Sequence, residues 1–202
     1  MSIASFIPRL ACVMLLSVGL VTVQASAQSP SPPAVPTDDA ATRIRHLDAL
    51  FTHLKTTTVE EEGDAMVAEI WKLWLQSGRP EVDALMEQAI SLMNSGLAAQ
   101  ALPVLDDVVA RAPQWAEGWN KRATLLYVLG DHDRSLADID RTLALEPRHF
   151  GALAGLGLIR VARGENRAAL AAFRRALAVN PFLKERFGLI PALEREVGEK
   201  PL

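Results

Sequence analysis

Apolar and small residues recur every three or four positions through most of residues 81–181, which is the spacing of amphipathic α-helices. The pattern is interrupted at regular points, by a glycine within each unit and a proline at its end, and the units repeat every 34 residues. The repeated positions are Gly96, Gly130 and Gly164 for the glycine, Ala101, Ser135 and Ala169 for a small residue, and Pro113, Pro147 and Pro181 for the proline. The sequence therefore predicts three consecutive pairs of amphipathic helices.

The period and its punctuation resemble the tetratricopeptide repeat family, whose units are helix-turn-helix pairs of this length. In the central unit the family positions are occupied by Trp119, Arg122, Ala123, Leu126, Ser135, Ile139, Thr142 and Pro147. The resemblance implies an all-α fold, a right-handed α-solenoid of stacked repeats at residues 81–114, 115–148 and 149–182. Stacking is required because a two-helix hairpin cannot bury its apolar stripe alone.

Two flanking segments are predicted to close the ends of this array. Residues 40–80 have the helical pattern and the length of a repeat but lack its small residues, so we expect a degenerate hairpin in which Trp71 and Trp74 cap the first repeat. Residues 183–202 are predicted to form a C-terminal capping helix and a tail. The four tryptophans, which include Trp115 and Trp119, have the three- and four-residue spacing of core stripes, and Trp115 is expected to be the most exposed.

The first 27 residues have the features of a signal peptide. Arg9 precedes a 14-residue apolar run, which is shorter than the roughly 20 residues of a membrane span. Ala25-Ser26-Ala27 then forms a small-x-small site, so cleavage is predicted after Ala27. The alternative is an uncleaved anchor.

This processing predicts a periplasmic protein with no membrane span in the mature chain, a location also suggested by the bacterial character of the repeats. A Pro-rich linker at residues 28–39 would join the signal peptide to the folded part. Cys12 is the only cysteine, and its removal with the signal peptide would leave no thiol chemistry. The formal net charge of −3, without a basic stripe, argues against a nucleic-acid partner.

The sequence predicts no catalytic site, no metal site and no cofactor. The four histidines, His46, His53, His132 and His149, show none of the usual metal-ligand spacings. We expect all four to be solvated surface residues.

Arg122 occupies a position that the family usually gives to an apolar residue. A partly buried arginine requires a partner, and Asp138 and Asp140 on the second helix of the same repeat are the candidates. The resemblance implies a structural pair of Arg122 with Asp138, and ligand binding by Arg122 is the alternative.

The resemblance also implies that the first helix of each repeat lines a concave groove for a protein or peptide. By register these residues are Asp83, Met86, Ile90 and Met93, then Glu117, Asn120, Thr124 and Tyr127, then Gly151, Ala154, Leu158 and Val161. We expect a partner's backbone to pass over Gly151 and Ala154, because helix packing does not obviously explain Gly151. The alternative is that the N-terminal tether or the C-terminal lid of this chain fills part of the groove.

The Lys, Asn and Arg clamp with which one subclass holds a partner's terminal carboxylate is absent from these positions. The prediction is a non-catalytic periplasmic adaptor that binds another cell-envelope protein or peptide. A self-assembling structural module is the alternative, and an enzyme is the least supported class. The sequence leaves the partner and the oligomeric state open.

Overall fold

The computed structural model of the chain describes residues 38–198. The predicted signal peptide, nearly all of the predicted linker and the last four residues of the tail lie outside this range. The helices are α1 (Asp38–Leu54), α2 (Glu60–Trp74), α3 (Pro80–Asn94), α4 (Ala98–Arg111), α5 (Ala116–Val128), α6 (His132–Leu145), α7 (Phe150–Ala162), α8 (Asn166–Val179) and α9 (Leu189–Val197), with a 3₁₀ turn at Lys184–Phe187. Within residues 38–198, no helix is long and apolar enough to cross a membrane.

The periodic glycines form the turns inside three helical hairpins, α3–α4, α5–α6 and α7–α8. Gly96, Gly130 and Gly164 have φ values of 74°, 80° and 70°, a left-handed conformation that side chains with a Cβ rarely adopt. Pro113 and Pro147 follow the ends of α4 and α6, where a helix can no longer continue. The spacing of these residues therefore fixes where each hairpin turns and ends.

Neighbouring hairpins share one core, as stacking requires. Leu125 of α5 is buried in the cluster formed by α3 and α4 together with Met86 and Leu105. Small side chains permit this close packing, since Ala89, Ala101 and other repeat positions are completely buried. At the far end, α9 buries Ile190 and Leu193 against the last hairpin.

The N-terminal hairpin α1–α2 exists as predicted, but it packs in a different place. Its buried cluster includes Phe150 at the start of α7, so Trp71 and Trp74 do not cap the α3–α4 hairpin. The connector at residues 75–79 bends at Gly78, whose φ of 78° turns the chain back. The bulky indoles then meet Phe150 and Gly151 on the third hairpin, where a residue without a side chain leaves room for them.

Candidate functional site

A cavity of about 430 Å³ opens on the concave face of the array. The first helices of the second and third repeats, α5 and α7, supply most of its lining, α2 forms one wall, and residues 180–185 form another. Its surface is mostly apolar, with small residues such as Ala123, Ala154 and Gly155 among the lining. Thr124 is exposed and Leu158 is half-buried there, so both are accessible to a ligand. The arrangement suits apolar side chains of a partner.

Six of the predicted groove residues line this cavity. They are Asn120, Thr124, Tyr127, Gly151, Ala154 and Leu158. The residues predicted from the first repeat lie elsewhere, because Met86 is buried in the core of α3–α4 and Ile90 and Met93 pack against the same cluster. Asp83 accepts a hydrogen bond from the backbone N–H of Ser77 (2.8 Å). Of the three repeats, only the second and third therefore line the cavity.

The expectation that all four histidines are solvated is wrong for His149. Its ring is completely buried, and its Nδ1 accepts a hydrogen bond from the backbone N–H of Ala152 (3.1 Å) at the start of α7. Because Nδ1 acts as the acceptor, the proton of the neutral ring lies on Nε2, which faces the Glu117 carboxylate at 3.0 Å. His149 thus caps one helix and holds a side chain of another. His46 and His53 are exposed.

Glu117 and Asn120 are likewise buried, at 1% and 5% exposed; Glu117 does not line the cavity, which corrects its predicted place in the groove, whereas Asn120 does line it. Asn120 Nδ2 donates to Glu117 Oε2 (2.9 Å), and Lys121 Nζ lies 3.3 Å from Glu117 Oε1. Burial alone would raise the pKa of Glu117, but the hydrogen bond from His149, together with Lys121 and Asn120, lowers this pKa below its ordinary value. The carboxylate is therefore held in its charged form beneath the N-terminal hairpin.

Two indoles of α2 seal this buried polar cluster. The ring of Trp74 stacks on His149 with centroids 4.0 Å apart, and Trp71 meets both His149 and Phe150 edge-on. The indole N–H of Trp115 donates to the backbone oxygen of Trp74 (2.8 Å). Trp71 and Trp74 thus pack within the protein, and they connect repeats that are distant in sequence.

Gly151 has an internal explanation, which corrects the expectation that a partner's backbone passes over it. A Cβ at this position would lie 2.6 Å from Cη2 of Trp71. The groove is thus partly occupied by this chain: helix α2 forms one wall, and residues 182–185, at the start of the predicted C-terminal lid, form another. The predicted tether lies outside the described residues except for its last two. Sequence reasoning missed Trp71 and Val67 as walls of the site, although their helical spacing placed them on one stripe.

Gly155 differs from the other glycines of the same helix. A Cβ at Gly157 would lie 2.6 Å from the ring of Phe173, so that glycine is required by packing inside the hairpin. A Cβ at Gly155 would meet Cδ1 of Ile139 at 3.5 Å, an ordinary contact distance. Gly155 also lines the cavity. Its missing side chain therefore enlarges the cavity without being needed for helix packing.

The structure brings Arg122 of α5 and Asp138 of α6 together, as the repeat resemblance implied. Arg122 donates from Nε to Oδ2 of Asp138 (2.7 Å) and from Nη2 to Oδ1 (2.8 Å), a two-point contact that joins α5 to α6. Its Nη1 donates to Asp106 of the preceding repeat (2.8 Å), a partner that sequence reasoning missed. The hydrogen bonds to Asp138 raise the pKa of Arg122 above its ordinary value. Asp140, the other candidate, is exposed.

The described residues 38–198 contain no group of three or more His, Cys, Asp or Glu side chains that could hold a metal ion. The buried pair of Glu117 and His149 is closed to solvent by Trp74. This pair joins α5 to the start of α7 and so helps to hold two neighbouring hairpins together. The cavity, in contrast, is open to a partner.

Comparison with known proteins yields matches in sequence and in structure. A sequence model of the tetratricopeptide repeat matches residues 86–149 and 120–183. A TPR repeat-containing protein of Rhizobium etli is 36% identical over 137 residues, which cover 68% of this chain and 67% of that protein.

Three solved structures illustrate the similarity of fold. The first TPR of Spaghetti (RPAP3), bound to an HSP90 peptide, has a TM-score of 0.55 and 17% identity, covering 58% of this chain and 94% of that one. The Sgt2 TPR domain of Aspergillus fumigatus has a TM-score of 0.56 and 19% identity, covering 59% and 81%. MamA has a TM-score of 0.54 and 19% identity, covering 68% and 80%. These similarities confirm the predicted fold class, an all-α right-handed solenoid.

Proposed function

This chain belongs to the tetratricopeptide repeat family, and from that premise we propose that it is a non-catalytic periplasmic scaffold that binds a segment of another cell-envelope protein. The observation that carries the proposal is the cavity of about 430 Å³ on the concave face. It lies on the helices that the repeat register assigns to partner binding. A structural neighbour of the same fold, the first TPR of Spaghetti, is bound to an HSP90 peptide.

The lining of the cavity favours an apolar segment over a highly charged one. Ala154, Gly155 and Leu158 offer small and apolar surface, while the charged lining residues include both signs, with Lys184 and Asp64 among them. A peptide with one or two bulky apolar side chains would remove this surface from water, at a gain of about 25 cal/mol per Å² before the cost of association. Thr124 and Tyr127 provide hydroxyl groups beside it.

The periplasmic location rests on the N-terminal sequence. A charged start, a short apolar run and the Ala25-Ser26-Ala27 site support export and cleavage. These residues lie outside the described structure. The partner would then be an envelope protein, because the mature chain would share its compartment.

The test is capture of a partner by the mature chain, compared with two single variants. Leu158→Glu places a charge at the cavity, and Ala171→Glu places the same charge at an exposed position of α8 outside the cavity. A protein recovered from periplasmic extract is purified, and its Kd for all three baits is measured by calorimetry. The proposal expects at least a tenfold weaker Kd for Leu158→Glu, about 1.4 kcal/mol, and no change for Ala171→Glu.

Equal affinity of both variants with intact helicity would overturn the cavity as the site. Recovery of the chain itself, with a dimer mass in sedimentation equilibrium, would favour the self-assembling alternative. In that case the same pair of variants tests whether a second copy fills the cavity.

A further inference from the structure

The N-terminal hairpin has its own small core. Residues of α1 and α2 bury one another, and Phe150 of α7 joins them from the repeat array. The buried residues of the hairpin are Leu47, Phe51, Leu54, Met66, Ile70, Leu73 and Trp74. Seven of the eight buried residues of this cluster therefore belong to the hairpin itself.

Two exposed ion pairs help to hold the hairpin in place. Arg148 Nη1 lies 2.7 Å from Asp48 of α1, and Arg186 Nη2 lies 2.9 Å from Glu60 of α2. The carboxylates are 57% and 59% exposed, so each attraction is weak and is screened by salt. Other contacts to the array include the hydrogen bond from Trp115 to the backbone oxygen of Trp74, the packing of Phe182 against Gly63, and the aromatic contacts of Trp71 and Trp74.

The connector at residues 75–79 has the features of a hinge. Arg43 of α1 holds its first half by donating to the backbone oxygen of Gln76 (3.1 Å). Arg79 holds its second half by donating to the backbone oxygen of Arg111 (2.6 Å). Between these two anchors lies the exposed Gly78, which has a left-handed backbone conformation. Because glycine has no Cβ, its φ and ψ angles can change with little steric cost.

Polar residues lie beneath the hairpin at positions that the repeat register assigns to the groove. Glu117 and Asn120 are 1% and 5% exposed, and they are covered together with His149. Buried Trp74 Nε1 also lacks a hydrogen-bond partner at this junction, so the contact is incompletely satisfied.

From these observations we infer that the α1–α2 hairpin is a hinged cover that opens at Gly78 and regulates the length of the groove. When it is closed, the groove ends at Trp71 and is a short pocket. When it is open, Glu117 and His149 become accessible beside Asn120, and the groove can hold a longer segment. This consequence for binding rests on the proposed function, whereas the opening itself does not.

The experiment measures opening through His149 and needs no partner. Diethylpyrocarbonate modifies accessible imidazoles, and His149 becomes accessible when Trp74 moves away from its ring. The exposed His46 and His53 are internal references in the same chain. Labelling rates of all three are measured by peptide mass spectrometry.

The informative variant is Asp48→Asn with Glu60→Gln, which removes both charges that hold the hairpin. Its matched control, Asp107→Asn with Asp133→Asn, removes two exposed carboxylates paired with Arg111 and Arg163 elsewhere. If the hairpin is a hinged cover, the labelling rate of His149 should rise about two- to tenfold in the first variant and should not rise in the control. Added salt should accelerate His149 labelling in the unmodified chain and in the control, and less so in the first variant.

Hydrogen exchange of α7 and α8 supplies the reference for global unfolding. If His149 is labelled no faster than the slowest amides of these helices exchange, in every variant and at every salt concentration, the cover does not open separately and the inference is wrong. Because no partner is present, this outcome is distinct from failure of the proposed binding site.

Discussion

The ion pair between Arg122 and Asp138 gives a direct test of how the central repeat is held together. Arg122→Ala removes a two-point contact of 2.7 and 2.8 Å to Asp138, a 2.8 Å contact to Asp106, and the packing of the guanidinium over Trp119. The Asp138 side chain is 6% exposed and would be left without its cation. The variant should therefore destabilise the protein strongly.

The size of the expected loss in stability depends on how deeply Arg122 and its two partners are buried. Breaking a fully buried pair costs about 3–5 kcal/mol, whereas exposed pairs contribute about 0–1 kcal/mol. The Arg122 side chain is 16% exposed and that of Asp106 is 46% exposed, so the lower end of the first range applies, about 3 kcal/mol. For a domain of this size that loss lowers Tm by about 6–12 °C.

The assay is thermal unfolding followed by circular dichroism, with Arg111→Ala as the matched control. Arg111 Nε lies at a similar distance, 2.8 Å, from Asp107, but their side chains are 51% and 42% exposed, so its loss should lower Tm by no more than about 4 °C. Arg122→Lys keeps the charge but loses the two-point geometry, and we expect an intermediate Tm. The double variant Arg122→Ala with Asp138→Ala should be less destabilised than the sum of its single changes, because no buried charge remains.

Equal Tm values for Arg122→Ala and Arg111→Ala would refute the burial argument. Additive single and double variants would refute the coupling between Arg122 and Asp138. Far-UV spectra before heating show whether each variant has folded.

Three further predictions concern the glycines of α7, the buried carboxylate of Glu117, and N-terminal processing. Gly151→Ala should destabilise the protein by about 1–3 kcal/mol, because its Cβ would lie 2.6 Å from Trp71, whereas Gly155→Ala should be neutral or stabilising by up to about 1 kcal/mol in chemical denaturation. Glu117→Gln should reduce the decrease in unfolding free energy that the protein shows as the pH falls. A carboxyl group with a lowered pKa stabilises the fold above about pH 4, and this stabilisation is lost as the pH falls through its folded-state pKa. Denaturation midpoints measured from neutral to acid pH check this. The exported protein should begin at Gln28, which N-terminal mass spectrometry checks; an N-terminus at Met1 would contradict it.

The fold class could be predicted from the sequence because each repeat contacts mainly its neighbours. Gly130 with φ of 80° and Pro147 at a helix end are local features, and a 34-residue period repeats them. The same period places Thr124 and Leu158 on one face of α5 and α7, and both line the cavity in the structure.

The position of the N-terminal hairpin could not be predicted in this way. No repeat register links α2 to α7, and the bend at Gly78 depends on a single backbone conformation. The burial of His149 follows from that bend, because the ring is covered by Trp74, which is far away in sequence. A histidine directly after Pro147-Arg148 has the sequence environment of a solvated loop residue.

Helix α7 shows what the sequence could and could not assign. Three glycines in one helix are unfavourable, since each costs about 1 kcal/mol relative to alanine, and the sequence alone indicates that something must compensate. The structure gives each a different surrounding: Gly151 lies against Trp71, Gly157 against Phe173, and Gly155 beside the open cavity. The cover and the pocket therefore meet on the same helix, within about one turn of each other. A substitution that fills the space at Gly151 acts on the closed hairpin, while one at Gly155 acts on the pocket, so these two positions can separate regulation of the groove from binding within it.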